Sequence, residues 1–196
     1  MGNSYKRLNV STEKLVIAAV MTAIVVVLQV MAILTRAFLP VFAINLVLVP
    51  IVIGAALGGV AVGGWLGFVS GVAVLVSGDA AAFLAVDISG TIFTVLLKGL
   101  LSGIAAALVY KLLENKNRYL AVLAAAVACP VVNTGVFVLG TFTFFMDTIR
   151  VWGEGLGYAN AMAYIFLGMI GINFIIELVI NVILSPTVLK LINIKK

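Results

Sequence analysis

Residues 15–34 form an apolar stretch of twenty residues in which Gln29 is the one strongly polar side chain. A helix rises about 1.5 Å per residue, so a helix of this length crosses the roughly 30 Å hydrocarbon core of a bilayer. The rest of the chain has the same character, because 64% of its 196 residues are hydrophobic and only 10% are charged. A typical soluble domain has about 25% charged residues. We therefore expect an integral membrane protein in the cell membrane.

Further apolar stretches follow along the chain and are separated by short polar segments. They predict an all-α fold with six transmembrane helices in a single transmembrane domain that covers residues 1–196. The approximate spans are 15–34, 41–57, 60–77, 88–113, 119–145 and 159–191. In this arrangement only Arg36 and Arg150 lie on one side, and the other basic residues lie on the opposite side, apart from Lys98 within the fourth span. Basic residues favour the cytoplasmic side, so both termini are expected there, and the loops 78–87 and 146–158 outside.

Composition also limits the chemistry that the chain can perform. It has no histidine and one cysteine, so the usual metal ligands and the commonest general base are missing. No sequence typical of a phosphate-binding loop is present, and the net charge of +5 is accounted for by membrane orientation. We expect no cofactor, no nucleic-acid partner and no enzymatic activity.

Small residues recur at helical spacing in two places. Gly63, Gly67 and Gly71 are four apart in the third span, and this spacing predicts a groove into which another helix packs closely. Ala19 and Ala23 form a similar small face on the first span. Spacing alone leaves two interpretations of the alanine pair, either packing within this chain or contact with another protein.

Polar side chains inside the apolar spans mark a second set of candidates. Lys98 lies about ten residues inside the fourth span, and Asn173, Glu177 and Asn181 share one face of the last span. Ionisable groups at this depth usually serve a function. Glu177 either contributes to a solute site or pairs with Lys98 and holds two helices together. Asn133 follows Pro130 in the fifth span, where it either exposes a polar group to a solute or bonds to another helix.

Several of these features occur together in one known family. They are the Ala19 and Ala23 pair, Pro50 within Leu46–Gly54, the glycine-rich run 58–67 and the Lys98-Gly99 dipeptide. With the six-helix order, this pattern resembles the substrate-binding S components of energy-coupling factor (ECF) transporters. The resemblance implies a subunit that captures a vitamin or related micronutrient from outside. It also implies partners, namely a membrane coupling subunit, which the alanine face contacts, and two ATPase subunits.

Polarity and expected depth give a set of candidate substrate-binding residues. Lys98 and Arg36 suit an anionic group, the amides and Glu177 suit hydrogen-bonding edges, and Trp152 either stacks on a ring or anchors the membrane interface. The full set is Arg36, Asn45, Asp87, Lys98, Asn133, Trp152, Asn173 and Glu177. The alternative functions are a self-sufficient secondary transporter with Glu177 as its coupling-ion site, a membrane enzyme, and a structural assembly factor.

Overall fold

The computed structural model describes residues 12–38 and 46–195 of the chain. Every regular element in this part of the chain is helical, which confirms the all-α prediction. The elements are α1 (Thr12–Phe38), α2 (Leu48–Gly58), α3 (Val60–Val76), α4 (Ala81–Leu84), α5 (Ile88–Leu113), α6 (Arg118–Phe144), α7 (Met146–Gly155), α8 (Ala161–Ala163), a π-helical segment (Tyr164–Ile170) and α9 (Gly171–Lys195).

Four stretches of helix are long and apolar enough to cross a membrane. They are Thr12–Leu34, Ile88–Leu113, Arg118–Phe144 and Ala161–Asn193. Helices α2 and α3 are apolar but shorter, with 11 and 17 residues, and so extend about 16 and 26 Å. By length and composition, the described part of the chain is thus an all-helical membrane protein with four candidate spans.

Two segments differ from the sequence prediction. The polar segment 146–158 was expected to be a loop, yet Met146–Gly155 is helical because Ile149 and Gly153, one turn apart, bury one face of α7. A proline at position 186 is expected from the sequence to kink or end the last helix, and the structure shows that the helix does not end there, because α9 continues through Pro186 to Lys195. A proline cannot donate to the carbonyl four residues earlier. The hydroxyl of Ser185 donates to that Val182 carbonyl instead, at 2.7 Å.

The buried side chains form two separate clusters at opposite ends of the bundle. The larger cluster joins α1, α2, α3, α5, α6 and α9. It lies toward the end that carries the α5–α6 turn and the end of α9, where Arg118 donates to Asn193; we call this the basic end. The smaller cluster contains Phe145, Ile149, Ala161 and Ile165. It lies among the connections 77–87 and 145–160, which we call the loop end.

Helices α3 and α5 touch each other through their backbones. A Cβ atom added at Gly67 would collide with the carbonyl oxygen of Gly99, and one added at Gly103 would collide with that of Gly63. One turn further, a Cβ at Gly71 would lie 2.9 Å from the Val95 carbonyl oxygen. Close packing of the glycine face is therefore confirmed, and its partner is α5.

Helix α1 is attached to the other described helices along one face. The indole nitrogen of Trp65 donates to the Thr22 hydroxyl at 3.1 Å, while Gln29 donates to Asp79 at 2.6 Å. Ile17 and Val25 are buried in the larger cluster. Ala19 and Ala23 lie on the other face and are exposed, so this pair does not pack within the described part of the chain.

The contact between α3 and α5 predicts a strong dependence on glycine. We expect Gly67→Ala to lower the melting temperature of the purified protein in detergent, because the added methyl group meets backbone and overpacking of this kind costs about 1–3 kcal/mol. Gly135→Ala is the matched control, since nothing lies within 4 Å of a Cβ at that position of α6. Equal melting temperatures for the two variants would contradict the proposed contact.

Candidate functional site

Lys98 is the central polar group of the helical bundle. It is half-buried on α5, about 15 Å along the helix from Ile88. Its Nζ atom lies 5.2 Å from the centre of the Phe137 ring on α6. Within the described ranges, the ammonium group makes neither a hydrogen bond nor an ion pair. A lysine near the middle of a membrane costs about 2.5–3.5 kcal/mol on insertion scales, so a group without a direct acceptor is notable.

Two carboxylates act on Lys98 from a longer distance. Asp79, at the loop end, and Glu177, on α9, both interact electrostatically with the ammonium group. Asp79 is itself held by Gln29 of α1. The backbone carbonyl of Glu177 accepts a hydrogen bond from the Asn181 amide at 2.8 Å. The structure thus brings Lys98 and Glu177 into one electrostatic group without a direct ion pair between them.

Thr94 lies one turn from Lys98 on the same face of α5, toward the loop end. Its side chain is only 3% exposed, and its hydroxyl has no hydrogen-bond partner among the described residues. The absence of a side chain at Gly140 allows α6 to approach it, because a Cβ there would collide with Thr94. Thr94 was not among the predicted site residues, although its spacing of four from Lys98 places it on the same helical face.

Aromatic side chains cover the site at the loop end. The ring of Phe83, on α4, packs edge-to-face against three other rings: its centre lies 5.7 Å from that of Phe137, 5.0 Å from Phe145 and 5.6 Å from Trp152. We call these four residues the aromatic cover. The aromatic cover links α4, α6 and α7, and one of its members, Phe137, is the ring that the Lys98 ammonium group faces. Trp152 was a predicted site residue, whereas Phe83 and Phe137 were missed because aromatic residues are ordinary in an apolar sequence.

The two predicted asparagines lie on helix faces that include members of the site. Asn133 is four residues before Phe137 on α6, and Asn173 is four residues before Glu177 on α9, so each pair shares one face. Both asparagines are half-buried. Neither side-chain amide has a hydrogen-bond partner in the described part of the chain.

Asp87 has a local structural task. It is the N-cap of α5, where its carboxylate accepts hydrogen bonds from the Gly90 backbone at 3.0 Å and the Ser89 hydroxyl at 2.8 Å. These bonds favour the charged form and lower the pKa of the carboxyl group below 3.8. Two further predicted residues cannot be placed: the backbone of Arg36 belongs to α1, but its side chain lies outside the described set, as does Asn45.

A large groove lies elsewhere, between α6 and the π-helical segment. Its volume is about 640 Å³, and its lining includes Val131, Leu139, Phe166 and Phe174 but neither Lys98 nor Glu177. The lining has no charged side chain. A surface of this composition suits lipid acyl chains, so we do not assign it to a polar solute.

An apolar helical bundle with ionisable and amide side chains inside it is typical of membrane proteins that handle a polar solute. Comparison with known families agrees with this class. The family model for the substrate-specific component of ECF transporters matches residues 13–189. The chain therefore belongs to this family, as its sequence pattern suggested. No curated protein and no solved structure matches it.

The aromatic cover predicts that Phe83 holds the 78–87 connection in place. We expect Phe83→Ala to speed amide hydrogen exchange in this segment by about tenfold or more, because three edge-to-face pairs, each worth about 0.5–1.5 kcal/mol, are lost. Phe93→Ala is the control, since Phe93 is exposed on α5. Unchanged exchange in the Phe83 variant, measured by mass spectrometry, would show that the cover does not hold this segment.

The N-cap predicts a pH-dependent effect of Asp87. We expect Asp87→Ala to lower the melting temperature at neutral pH, whereas Asp87→Asn retains most of the stability because asparagine also caps helices. The lowered pKa means that the contribution of the charge is present above pH 3.8 and is lost as the pH falls through the folded-state value. The difference between wild type and Asp87→Ala should narrow in acid. A difference that widens in acid would contradict the capping assignment.

Proposed function

We propose that this chain is the substrate-capture (S) subunit of an ECF-type ABC importer. It binds a water-soluble vitamin or related micronutrient from outside and delivers it through an ATPase-driven partner complex. The observation that carries the proposal is Lys98, a half-buried ammonium group with no direct ionic partner in the described residues. Such a group gains most from a polar solute that supplies an acceptor. Family membership supports the same function.

The proposed topology has six spans and cytoplasmic termini. Besides the four long spans, helices α2 and α3 are the other two proposed spans. The 17 residues of α3 extend almost the thickness of the hydrocarbon core. Basic residues support the orientation, because Lys111, Lys116, Arg118 and Lys190 all belong to segments at the basic end. The loop end then faces outward, where the aromatic cover lies between the solute site and the exterior.

The proposed substrate contacts are a subset of the residues expected from sequence. Lys98, Asn133, Asn173 and Glu177 supply the polar groups of the site, and Trp152 belongs to its cover. Asp87 acts indirectly, by capping the helix that carries Lys98. Arg36 and Asn45 are proposed as substrate contacts from the sequence alone.

The proposed energy source is a partner complex. The chain carries no phosphate-binding loop sequence, and the S-component family works with other subunits. Ala19 and Ala23 are exposed on α1, and small residues let another helix approach closely. We therefore assign this face to the membrane coupling subunit, which in turn binds two ATPase subunits.

The test is reconstitution with and without the partner module encoded in the same genome. In proteoliposomes that contain all subunits, we expect ATP-dependent uptake of the solute that co-purifies with the chain, identified by native mass spectrometry. Ala19→Trp and Ala23→Trp should reduce both uptake and co-purification of the coupling subunit by at least about fivefold, because a bulky side chain prevents close approach. Their solute affinity should not change.

The matched control is Ile24→Trp, which adds the same ring to α1 about 100–140° around the helix from the two alanines. Ile24 is also exposed, and this variant should retain uptake. Uptake by the chain alone, driven by an ion gradient and lost in Glu177→Gln, would instead establish the secondary transporter. Full activity of both alanine variants would remove this face from the partner interface.

A further inference from the structure

The charges around the site restrict the solute that fits it. Lys98 is the cation that faces Phe137, and among the described residues it has no direct acceptor. The carboxylates Asp79 and Glu177 act on it only through longer-range electrostatics. Asp79 already accepts a hydrogen bond from Gln29. A negative group on the solute therefore has a partner at Lys98 that no described side chain occupies.

The neighbouring polar groups also favour an acceptor-bearing solute. The Thr94 hydroxyl lies one turn from Lys98 on the same face, is nine-tenths buried and has no partner in the described part of the chain. A lysine ammonium group only donates hydrogen bonds, and a threonine hydroxyl can donate one. Two donors one helical turn apart, for which the described residues supply no acceptor, match the oxygens of a carboxylate better than an uncharged or cationic group.

The carboxylates of Asp79 and Glu177 limit how much negative charge the solute can carry. A group with one negative charge contacts the Lys98 ammonium group directly, whereas Asp79 and Glu177 act on that ammonium group only from a longer distance. A phosphate with nearly two negative charges would add repulsion from both carboxylates, and this repulsion is strong where water is scarce. We therefore expect a phosphorylated solute to bind more weakly than a monoanionic one.

Building on the proposed capture function, we infer that the substrate is a monoanionic carboxylic acid whose carboxylate pairs with the Lys98 ammonium group. The pairing relieves a cation that is otherwise without a direct partner in the described residues. The apolar part of the solute then faces the aromatic cover, to which Phe137 belongs.

The experiment compares acids with their uncharged counterparts on the purified full-length chain. The probes are biotin with biotinamide, pantothenate with pantothenol, and nicotinate with nicotinamide, together with riboflavin, thiamine and pyridoxal phosphate as neutral, cationic and phosphorylated solutes. Binding is measured by equilibrium dialysis and by the shift in melting temperature. Any compound that co-purifies is identified by native mass spectrometry and tested in the same way.

We expect an acid to bind and its neutral counterpart to bind at least about tenfold more weakly, since a charge-assisted hydrogen bond is lost. Lys98→Gln should weaken binding of the acid by a similar factor, while Lys98→Arg retains the preference for the acid. Lys111→Gln is the matched control, because Lys111 lies on the same helix but at its basic end. The comparison of acid and amide on the wild-type chain does not depend on how well a variant folds.

The possible outcomes separate the two proposals. Tight binding of a neutral, cationic or phosphorylated solute, with no loss in Lys98→Gln, would overturn the carboxylate inference and leave the capture function standing. Equal binding of an acid and its amide would overturn it in the same way. No binding by any probe, together with no co-purified compound, would overturn the capture function itself and the inference with it.

Discussion

The backbone contact between α3 and α5 determines where the polar groups of this protein lie. At Gly67 and Gly99 the two helices approach so closely that a single Cβ atom would collide with a carbonyl oxygen. Fixing Gly99 against α3 also fixes the rotation of α5 about its axis. Lys98, one residue earlier and therefore about 100° around the helix, is then directed toward α6 and Phe137. The glycine contact thus positions the candidate site without contributing a side chain to it.

The polar residues of the apolar helices fall into two groups. Some hydroxyls are satisfied by the backbone of their own helix: Ser102 donates to the Gly99 carbonyl at 2.8 Å, and Thr141 donates to that of Phe137 at 2.9 Å. Such bonds lower the free-energy cost of placing a polar side chain in lipid. Lys98 and Thr94 make no comparable bond within residues 12–38 and 46–195. This contrast separates residues that serve the fold from those we assign to a solute.

Helix prediction succeeded where hydropathy alone decides the structure. The expected span 88–113 coincides with α5, and 60–77 differs from α3 by one residue. It was wrong for α7, because a short helix with polar residues looks like a loop unless the spacing of Ile149 and Gly153 is considered. The last helix does not end at Pro186, one of the two outcomes expected there, since the Ser185 hydroxyl replaces the missing donor.

The candidate site was only partly predictable. Lys98 and Glu177 stand out in the sequence as candidates because a charge in an apolar stretch is rare and costly. Phe83, Phe137 and Thr94 carried no such signal, since aromatic and hydroxyl residues are common in membrane helices. Their importance depends on contacts between α4, α5, α6 and α7. Asp87 was predicted as a substrate contact; that role stays a prediction, and the structure shows that its carboxylate caps α5.

The sequence by itself determined that this protein belongs in a lipid bilayer and that its fold is all-α. Apolar runs long enough to cross a bilayer require helices, because lipid offers no partner for an unpaired backbone group. The order of its motifs also indicated the family. Only the tertiary structure decided which face of each helix is covered. It buried the face of α1 that contains Val25, left Ala19 and Ala23 exposed, and brought Lys98 over Phe137. Those outcomes depend on contacts between residues far apart in the chain, which hydropathy and spacing do not encode.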